Sequence, residues 1–462
     1  MSSFPFMRKS LSERRTLATI VGEGVGRGRV VATRDYVLAL DEFEHASSLG
    51  PDLKRLYGRS VVVSVRDMAK VAAALIDLDG CARRVLLVPA GWESQRLDVA
   101  ARNAEADAVV YDDEDVGTPT SIEHAVACRL PLRPMASPRI ADWETEWVLP
   151  TSGTTGPPKL VRHTLRTLMG AIGDAPLQQW ATFYDIRRYG GLQIFLRALS
   201  GRGSLRLSAE GEDVSSLLGR FGDAKITHIS GTPTHWRRVL ISGEGLRIDP
   251  EYVRLSGEIA DNAVLAALRA LYPRARIEHA YASTEAGVVF AVGDGQAGFP
   301  ASWVESDGPV EMKVADGALH VRSSRSARGF LGEGAPALTD EEGFVDTGDM
   351  VERRGDRYHF VGRRGGIINV GGAKVHPEEV ETALNAHAIV RASRVFARRS
   401  PITGALVFAD IVLRDGCSAD AASEGEILAA CRARLAPHMV PAGLRFVADL
   451  PMTDGGKLAR HG

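Results

Sequence analysis

Cysteine is scarce in this chain. Only Cys81, Cys128, Cys417 and Cys431 occur in 462 residues, and no two form a CxxC pair. That argues against a disulfide framework or a zinc site, and it suits a reducing compartment. Charge of one sign is lacking too: 56 basic and 58 acidic residues leave a formal net charge of -2. Such a balance gives no reason to expect nucleic acid or an anionic membrane as partner. The apolar runs are far too short to span a bilayer. The basic residues Arg8, Lys9, Arg14 and Arg15 are not followed by an apolar signal core. The expectation is a cytoplasmic protein with no membrane span. A Walker A loop is also missing. The Gly22–Arg29 run is glycine-rich, but it lacks the strong preceding strand of a dinucleotide fold and reads as a flexible turn.

What is present is ordinary globular material, 45% hydrophobic and 25% charged, enough for two or three folding units of roughly 100–200 residues. From Val61 the pattern alternates. The β-branched run Val61–Val65, a helix over Asp67–Leu78, the run Val85–Val88, a helix over Glu93–Ala104 and the run Ala108–Tyr111 predict a parallel sheet covered by helices.

The densest stretch follows the apolar run Trp147-Val148-Leu149-Pro150. It reads Thr151-Ser152-Gly153-Thr154-Thr155-Gly156-Pro157-Pro158-Lys159. Glycines let backbone N–H groups turn toward an anion, hydroxyls add donors and lysine adds a mobile positive charge, so the composition points to phosphate. The paired prolines keep this loop from running straight into a helix as a P-loop does. A helix over Leu165–Ile172 is expected next. Three later strand ends each deliver small polar residues to a turn: Ile226–Ile229 before Ser230-Gly231-Thr232, Val253–Leu255 before Ser256-Gly257-Glu258, and Ile277–Ala282 before Ser283-Thr284-Glu285. Ligands of open parallel sheets sit at such ends, so these turns and the Thr151 loop are expected to line one crevice.

Beyond Glu311 the character changes. Two hairpins, with turns at Asp316-Gly317 and Gly355-Asp356, make a small β region. After Gly362-Arg363-Arg364-Gly365-Gly366 come a short strand, a Gly371-Gly372 turn and a helix opening at Pro377 with Glu378 and Glu379 in its first turn. Strands around Val395–Ala397, Leu406–Leu413 and Leu444–Val447, and a helix over Glu424–Leu435, complete the unit. The expected fold is α/β: a large N-terminal domain over 1–364 with covered parallel-type sheets and a small β region, then a smaller mobile α+β domain over 365–462.

The accumulated residues resemble the adenylate-forming superfamily of acyl- and aryl-CoA ligases and adenylation domains, in order from about Val61 to Arg460. The Thr151–Lys159 loop is similar to its phosphate loop. Tyr281-Ala282-Ser283-Thr284-Glu285 is similar to its Tyr-Gly-x-Thr-Glu segment, with alanine for glycine. Thr347-Gly348-Asp349 is similar to its ribose-binding Thr-Gly-Asp, and Gly362-Arg363 to the Gly-Arg before its hinge. Asn369–Val375 is similar to the glycine loop near its thiol channel, and Pro451–Lys457 to its catalytic lysine motif.

The resemblance implies ATP-dependent activation of a small carboxylic acid to an acyl-adenylate, then transfer to a thiol, either CoA or the phosphopantetheine of an acyl carrier protein. It implies catalytic roles for Lys457, Thr284 and Glu285. Glu285 would hold Mg²⁺, Tyr281 would stack on adenine, Asp349 would accept from the ribose hydroxyls, and Arg363 would sit by ribose and phosphate. Thr151, Ser152, Gly153, Thr154, Thr155 and Lys159 would cradle phosphate, with Ser256, Gly257 and Glu258 also at the nucleotide, while Gly371 and Gly372 would meet the pantetheine arm. Gly366 stands where the family usually has Asp or Lys, and glycine suits a hinge. The acid pocket is expected among Tyr184, Asp185, Arg187, Arg188, Tyr189, Thr232 and Trp236. Two readings stand there: aromatics walling a compact or aryl acid, and Asp185 meeting an α-ammonium. The Arg187-Arg188 pair favours a non-amino acid. A nucleotide-binding paralogue without turnover is the remaining alternative.

Overall fold

The computed structural model describes residues 15–22, 28–89, 91–112, 122–135, 137–151, 158–169, 177–304, 306–370, 372–400 and 404–451. Two sheets built largely of parallel strands form the body. In the first, the strand order is Gly287–Val292, Arg276–Ser283, Tyr252–Ser256, His228–Gly231, Gln179–Thr182, Ser204–Leu207, Val30–Ala32, Val37–Ala39. The second runs Gly329–Leu331, Leu160–Thr164, Glu146–Pro150, Arg84–Leu87, Ser60–Ser64, Ala108–Tyr111, His124–Ala127. Strands buried on both faces need apolar side chains at every position, and Val61, Val62 and Val63 are all fully buried.

One core lies between the two sheets. It takes Val61, Val63 and Leu149 from the second sheet, Trp180 and Leu205 from the first, and the helices Met68–Leu78 and Tyr189–Ser200 between them. Asp67 starts the former helix by accepting from the backbone N–H groups of Ala69 and Lys70. The helix Ser94–Asn103 covers the outer face of the second sheet. Val214–Asp223, Pro233–Ser242 and Asn262–Leu271 cover the outer face of the first, where Ala181, Ile229, Val253, Leu255 and Ile277 point.

The expected β region is an antiparallel five-stranded sheet ordered Phe299–Pro300, Arg357–Arg363, Val345–Arg354, Ala318–Ser323, Val310–Ala315. Asp316 and Gly317 both have positive φ, 50° and 74°, the two left-handed residues of a type I′ hairpin turn. The last sheet, built from Ile368–Val370, Ala373–Val375, Val390–Ser400, Gly404–Leu413 and Gly443–Phe446, has its own core under the helices Pro377–Asn385 and Ala421–Arg432. The α/β class with a large body and a smaller α+β end is therefore the observed one.

Some element ends differ from the sequence reading. The strand expected at Ile226 begins at His228, because Lys225 takes a left-handed φ of 48° as the preceding helix closes. The helix expected from Glu424 starts at Ala421, since the Asp420 carboxylate accepts from the Ser423 N–H. The strand centred on Val395–Ala397 extends over Val390–Ser400.

Candidate active site

Four neighbouring parallel strands, Gln179–Thr182, His228–Gly231, Tyr252–Ser256 and Arg276–Ser283, end on one side of the first sheet. The crevice expected there meets the antiparallel sheet through Tyr281. Its hydroxyl donates to Asp349 Oδ2 at 2.6 Å, while Arg363 Nε donates to Oδ1 at 2.9 Å. Asp349 and Arg363 are register partners on adjacent strands, which sets them side by side. Gly348 takes a φ of 66°, and the Thr347 hydroxyl bonds the Leu319 carbonyl and receives the Asp349 N–H, so the carboxylate is fixed. It is only 9% exposed. Two carboxylate oxygens offer about four lone-pair sites, so Asp349 retains acceptor capacity. Burial, then Asp349, pushes the Tyr281 phenol well above its ordinary pKa.

Phe360 stacks on Tyr281 at 4.6 Å and Phe290 approaches at 5.5 Å, with 6.4 Å between those two rings. They therefore subtend somewhat less than a right angle at Tyr281.

Thr284 and Glu285 form the turn between Arg276–Ser283 and Gly287–Val292. The Ala327 N–H donates to the Glu285 carbonyl at 2.9 Å, and Gly287, at φ 79°, lies so close to Arg325 that a Cβ would meet its carbonyl oxygen at 2.5 Å. A third anchor comes from His163, which the motif reading missed. His163 Nε2 lies 2.6 Å from the Thr284 carbonyl and Nδ1 lies 2.9 Å from the Thr167 hydroxyl. A carbonyl only accepts, so Nε2 carries the proton and Nδ1 accepts from Thr167. Burial lowers the imidazole pKa to about 4, countered by the bond to Thr284, so the ring is neutral at neutral pH. A histidine four residues after Lys159 on a buried strand was the available signal. Its partner 121 residues away was not.

The Glu285 side chain is half-buried and makes no hydrogen bond or ion pair among the described residues. Its charge helps hold the Arg363 guanidinium protonated, after the larger effect of Asp349. Among the described residues no three His, Cys, Asp or Glu side chains gather to hold a metal. A single free carboxylate is nevertheless what a magnesium ion uses when phosphates and waters supply its other ligands, so Glu285 fits that role.

The Thr151 N–H donates to the Lys159 carbonyl at 2.9 Å, closing a loop between the antiparallel strands Glu146–Pro150 and Leu160–Thr164. The loop leads into a strand, as its prolines require. Ser152, Gly153, Thr154 and Thr155 lie outside the described residues. The Lys159 ammonium is 5.4 Å from the Phe330 ring centroid. Ser256 is held by the Tyr184 hydroxyl, Gly257 turns away at φ 86°, and Glu258 accepts from the Thr234 N–H at 2.9 Å, pinning the helix Pro233–Ser242. Gly372 turns at φ 90° between two short strands. Gly371 and Lys457 lie outside the described residues. Neither Gly365 nor Gly366 has positive φ, and a Cβ on either meets nothing within 4 Å. Glycine is not required there in this conformation.

Three residues of the expected acid pocket are structural. Asp185 accepts from the Arg187 N–H and guanidinium, and Arg187 also donates to the Val65 carbonyl at 2.9 Å. The pair is 9% and 6% exposed, so Asp185 has no charge left for an ammonium group and Arg187 is neutralised. Trp236 is fully buried in the outer helical layer.

Comparison with known proteins fits this geometry. The model of the AMP-binding enzyme family matches residues 61–330. The chain belongs to this family. The C-terminal domain model of AMP-binding enzymes matches residues 379–457. Among curated relatives, feruloyl-CoA synthase of Amycolatopsis is 27% identical over 468 residues, covering 94% of this chain and 83% of that protein. A linear gramicidin synthase of Brevibacillus parabrevis is 33% identical over 166 residues, 33% of this chain and 2% of that protein. Among solved structures, the amide bond synthetase McbA of Marinactinospora thermotolerans aligns at a TM-score of 0.77 with 19% identity, over 96% of this chain and 97% of that one, a likeness of fold. This AMP-binding enzyme is an AMP-forming acid–thiol ligase: it activates a carboxylic acid with ATP and then forms a thioester. No helix among the described residues is long and apolar enough to cross a membrane.

Proposed function

We propose that the reaction runs at the Tyr281–Asp349–Arg363 cluster, with Asp349 receiving the ribose hydroxyls of ATP and Tyr281 stacking on adenine. The observation that carries this reading is the buried, doubly anchored Asp349 carboxylate beside the free carboxylate of Glu285. A magnesium ion on Glu285 would neutralise phosphate charge. The substrate carboxylate attacks the α-phosphorus, pyrophosphate leaves, and the thiol then attacks the acyl carbon and releases AMP. Two anions meet in the first step, so fixed donors carry the catalysis. Those donors are the Thr284 hydroxyl, Arg363, Lys159 with the loop from Thr151, and Lys457.

The thiol acceptor is CoA or a carrier-protein pantetheine, entering beside Gly371 and Gly372. The smaller unit, residues 365–462, moves relative to 1–364 between the two half-reactions. Three contacts bear on this. Arg238 on the outer helical layer pairs with Asp449 at 3.4 Å, Arg354 pairs with Glu379 at 2.9 Å, and Gly362 lies so close to Glu378 that a Cβ there would clash with its Oε2. The two ion pairs are exposed and weak, as a separable junction requires. ATP–pyrophosphate exchange across a panel of acids tests the reading. Exchange dependent on Glu285 and Asp349 supports it, and exchange unaffected by their replacement overturns it.

A further inference from the structure

The strand Leu160–Thr164, which leaves the Thr151–Lys159 loop, has two distinct faces. Leu160 packs in the outer core with Val148 and Leu331. By alternation Lys159, Val161 and His163 take the other face. Register sets Val161 opposite Leu149 and His163 opposite Trp147, and both of those partners belong to the core between the sheets. From this same face His163 reaches the Thr284 carbonyl. Lys159 therefore leaves the strand on the side of the Thr284–Glu285 turn.

The strand Gly329–Leu331 pairs antiparallel with this one. Phe330 stands opposite Val161 and so shares its face, with Lys159 on the diagonal. The Lys159 ammonium lies 5.4 Å from the centre of the Phe330 ring, within the range of a cation–π contact. It makes no hydrogen bond or ion pair among the described residues.

Phe330 is braced from both walls of the crevice. The Ala327 N–H donates to the Glu285 carbonyl at 2.9 Å, and the Arg328 N–H donates to the Arg162 carbonyl at 2.7 Å. Gly329, at φ 138°, then turns the chain into the strand. Phe330 follows Ala327 by three residues, at most about 10 Å of chain, and its ring is half-buried. The backbone of Lys159 is fixed as well, because its carbonyl accepts from the Thr151 N–H at 2.9 Å. Only the exposed lysine stem is left to move.

An exposed lysine has many rotamers, and gripping an anion freezes them. A ring that already holds the ammonium on the crevice side removes part of that loss. It covers one side of the ammonium, and the three N–H donors still reach oxygens on the others.

We propose that Phe330 is a positioning residue for adenylation: its ring preorganises the Lys159 ammonium toward the phosphates of ATP. The inference rests on the ligase reading, in which Lys159 donates to phosphate.

The test uses the full chain and ATP–pyrophosphate exchange with the best acid of the panel. KM for magnesium-ATP, KM for the acid and kcat are read separately on Phe330→Leu, Phe330→Tyr, Lys159→Met and the double variant Phe330→Leu with Lys159→Met. Phe330→Leu, which keeps an apolar side chain, should raise KM for ATP by roughly 3- to 30-fold and leave KM for the acid in place. Phe330→Tyr, which keeps the ring, should recover the affinity for ATP. In the Lys159→Met background Phe330→Leu should add nothing, whereas a merely structural role would cost the same in both backgrounds. Phe330→Met serves as a second non-aromatic variant. Unchanged KM for ATP in both non-aromatic variants, a loss that tyrosine does not recover, or an equal loss in the Lys159→Met background overturns the proposal. Calorimetric titration of magnesium-ATP into the same variants separates this inference from the ligase reading. Weaker binding that depends on Lys159, without exchange for any acid, keeps the role of Phe330 and sinks the ligase reading. Exchange impaired by Lys159→Met but by neither non-aromatic variant keeps the ligase reading and sinks the role of Phe330.

Discussion

Replacing His163 by phenylalanine tests how the Thr284–Glu285 turn is held. The ring space is kept, but the Nε2–H that reaches the Thr284 carbonyl at 2.6 Å is lost. Leaving that acceptor unmet costs about 1–3 kcal/mol at pH 7. A second effect has the opposite sign and appears only in acid. The folded pKa of His163 is about 4, against 6.5 for the free side chain. A depressed folded value means the unfolded chain binds the proton more readily. Stability is fully present above pH 6.5, falls as pH drops, and bottoms out below pH 4. Between pH 7 and pH 5 this linkage removes about 2 kcal/mol from the wild type. The variant lacks it. Urea melts of both proteins at pH 7 and pH 5 measure the difference, and the similarly buried His235 cancels in the comparison. The destabilisation by His163→Phe should shrink by about 2 kcal/mol on acidification, while ATP–pyrophosphate exchange falls at both pH values. His163→Gln, which restores a donor, should recover part of the exchange. A destabilisation identical at both pH values would refute the buried neutral imidazole, and full exchange in the phenylalanine variant would refute its positioning role.

The other expectations concern individual steps. Asp349→Ala should weaken AMP binding without magnesium by roughly 10- to 100-fold, the worth of hydrogen bonds to a charged acceptor; unchanged calorimetric affinity would remove the ribose assignment. Glu285→Gln should impair use of magnesium-ATP yet leave magnesium-free AMP binding intact, so loss of both places its role elsewhere. Lys457→Ala should slow adenylation by about 10²–10³ while still converting a supplied acyl-adenylate to thioester; equal losses in separately assayed half-reactions would discard the two-conformation cycle. Gly372, at φ 90° with open space around it, should tolerate alanine poorly for backbone reasons alone. Gly372→Ala is expected to slow thioester formation more than adenylation, and the same two assays read it.

Much of this protein is local. The valines at 61–63 pack on both sides of a strand, Asp67 caps the helix that follows, Asp316-Gly317 makes a hairpin turn, and Pro377 opens a helix. Each is set by backbone sterics and side-chain period within a few residues, so each is legible in order along the chain. The signature segments are legible for the same reason: Thr347, Gly348 and Asp349 form one turn, in which the Gly348 and Asp349 N–H groups donate to the nearby side chains of Asp346 and Thr347.

Only tertiary structure decided which charges are matched. In sequence, Asp185 beside Arg187 and Arg188 suggested a pocket; in the fold Asp185 and Arg187 neutralise each other beneath it. Thr182, Ser230, Arg254 and Glu278 carry no motif and are scattered over nearly a hundred residues, yet strand register sets them side by side. His163 likewise meets Thr284 only because two sheets pack across a shared core. Periodicity reports the face a side chain takes on its own element. The partner it finds there depends on strand order and on register between segments joined by long crossovers, and no local pattern encodes these.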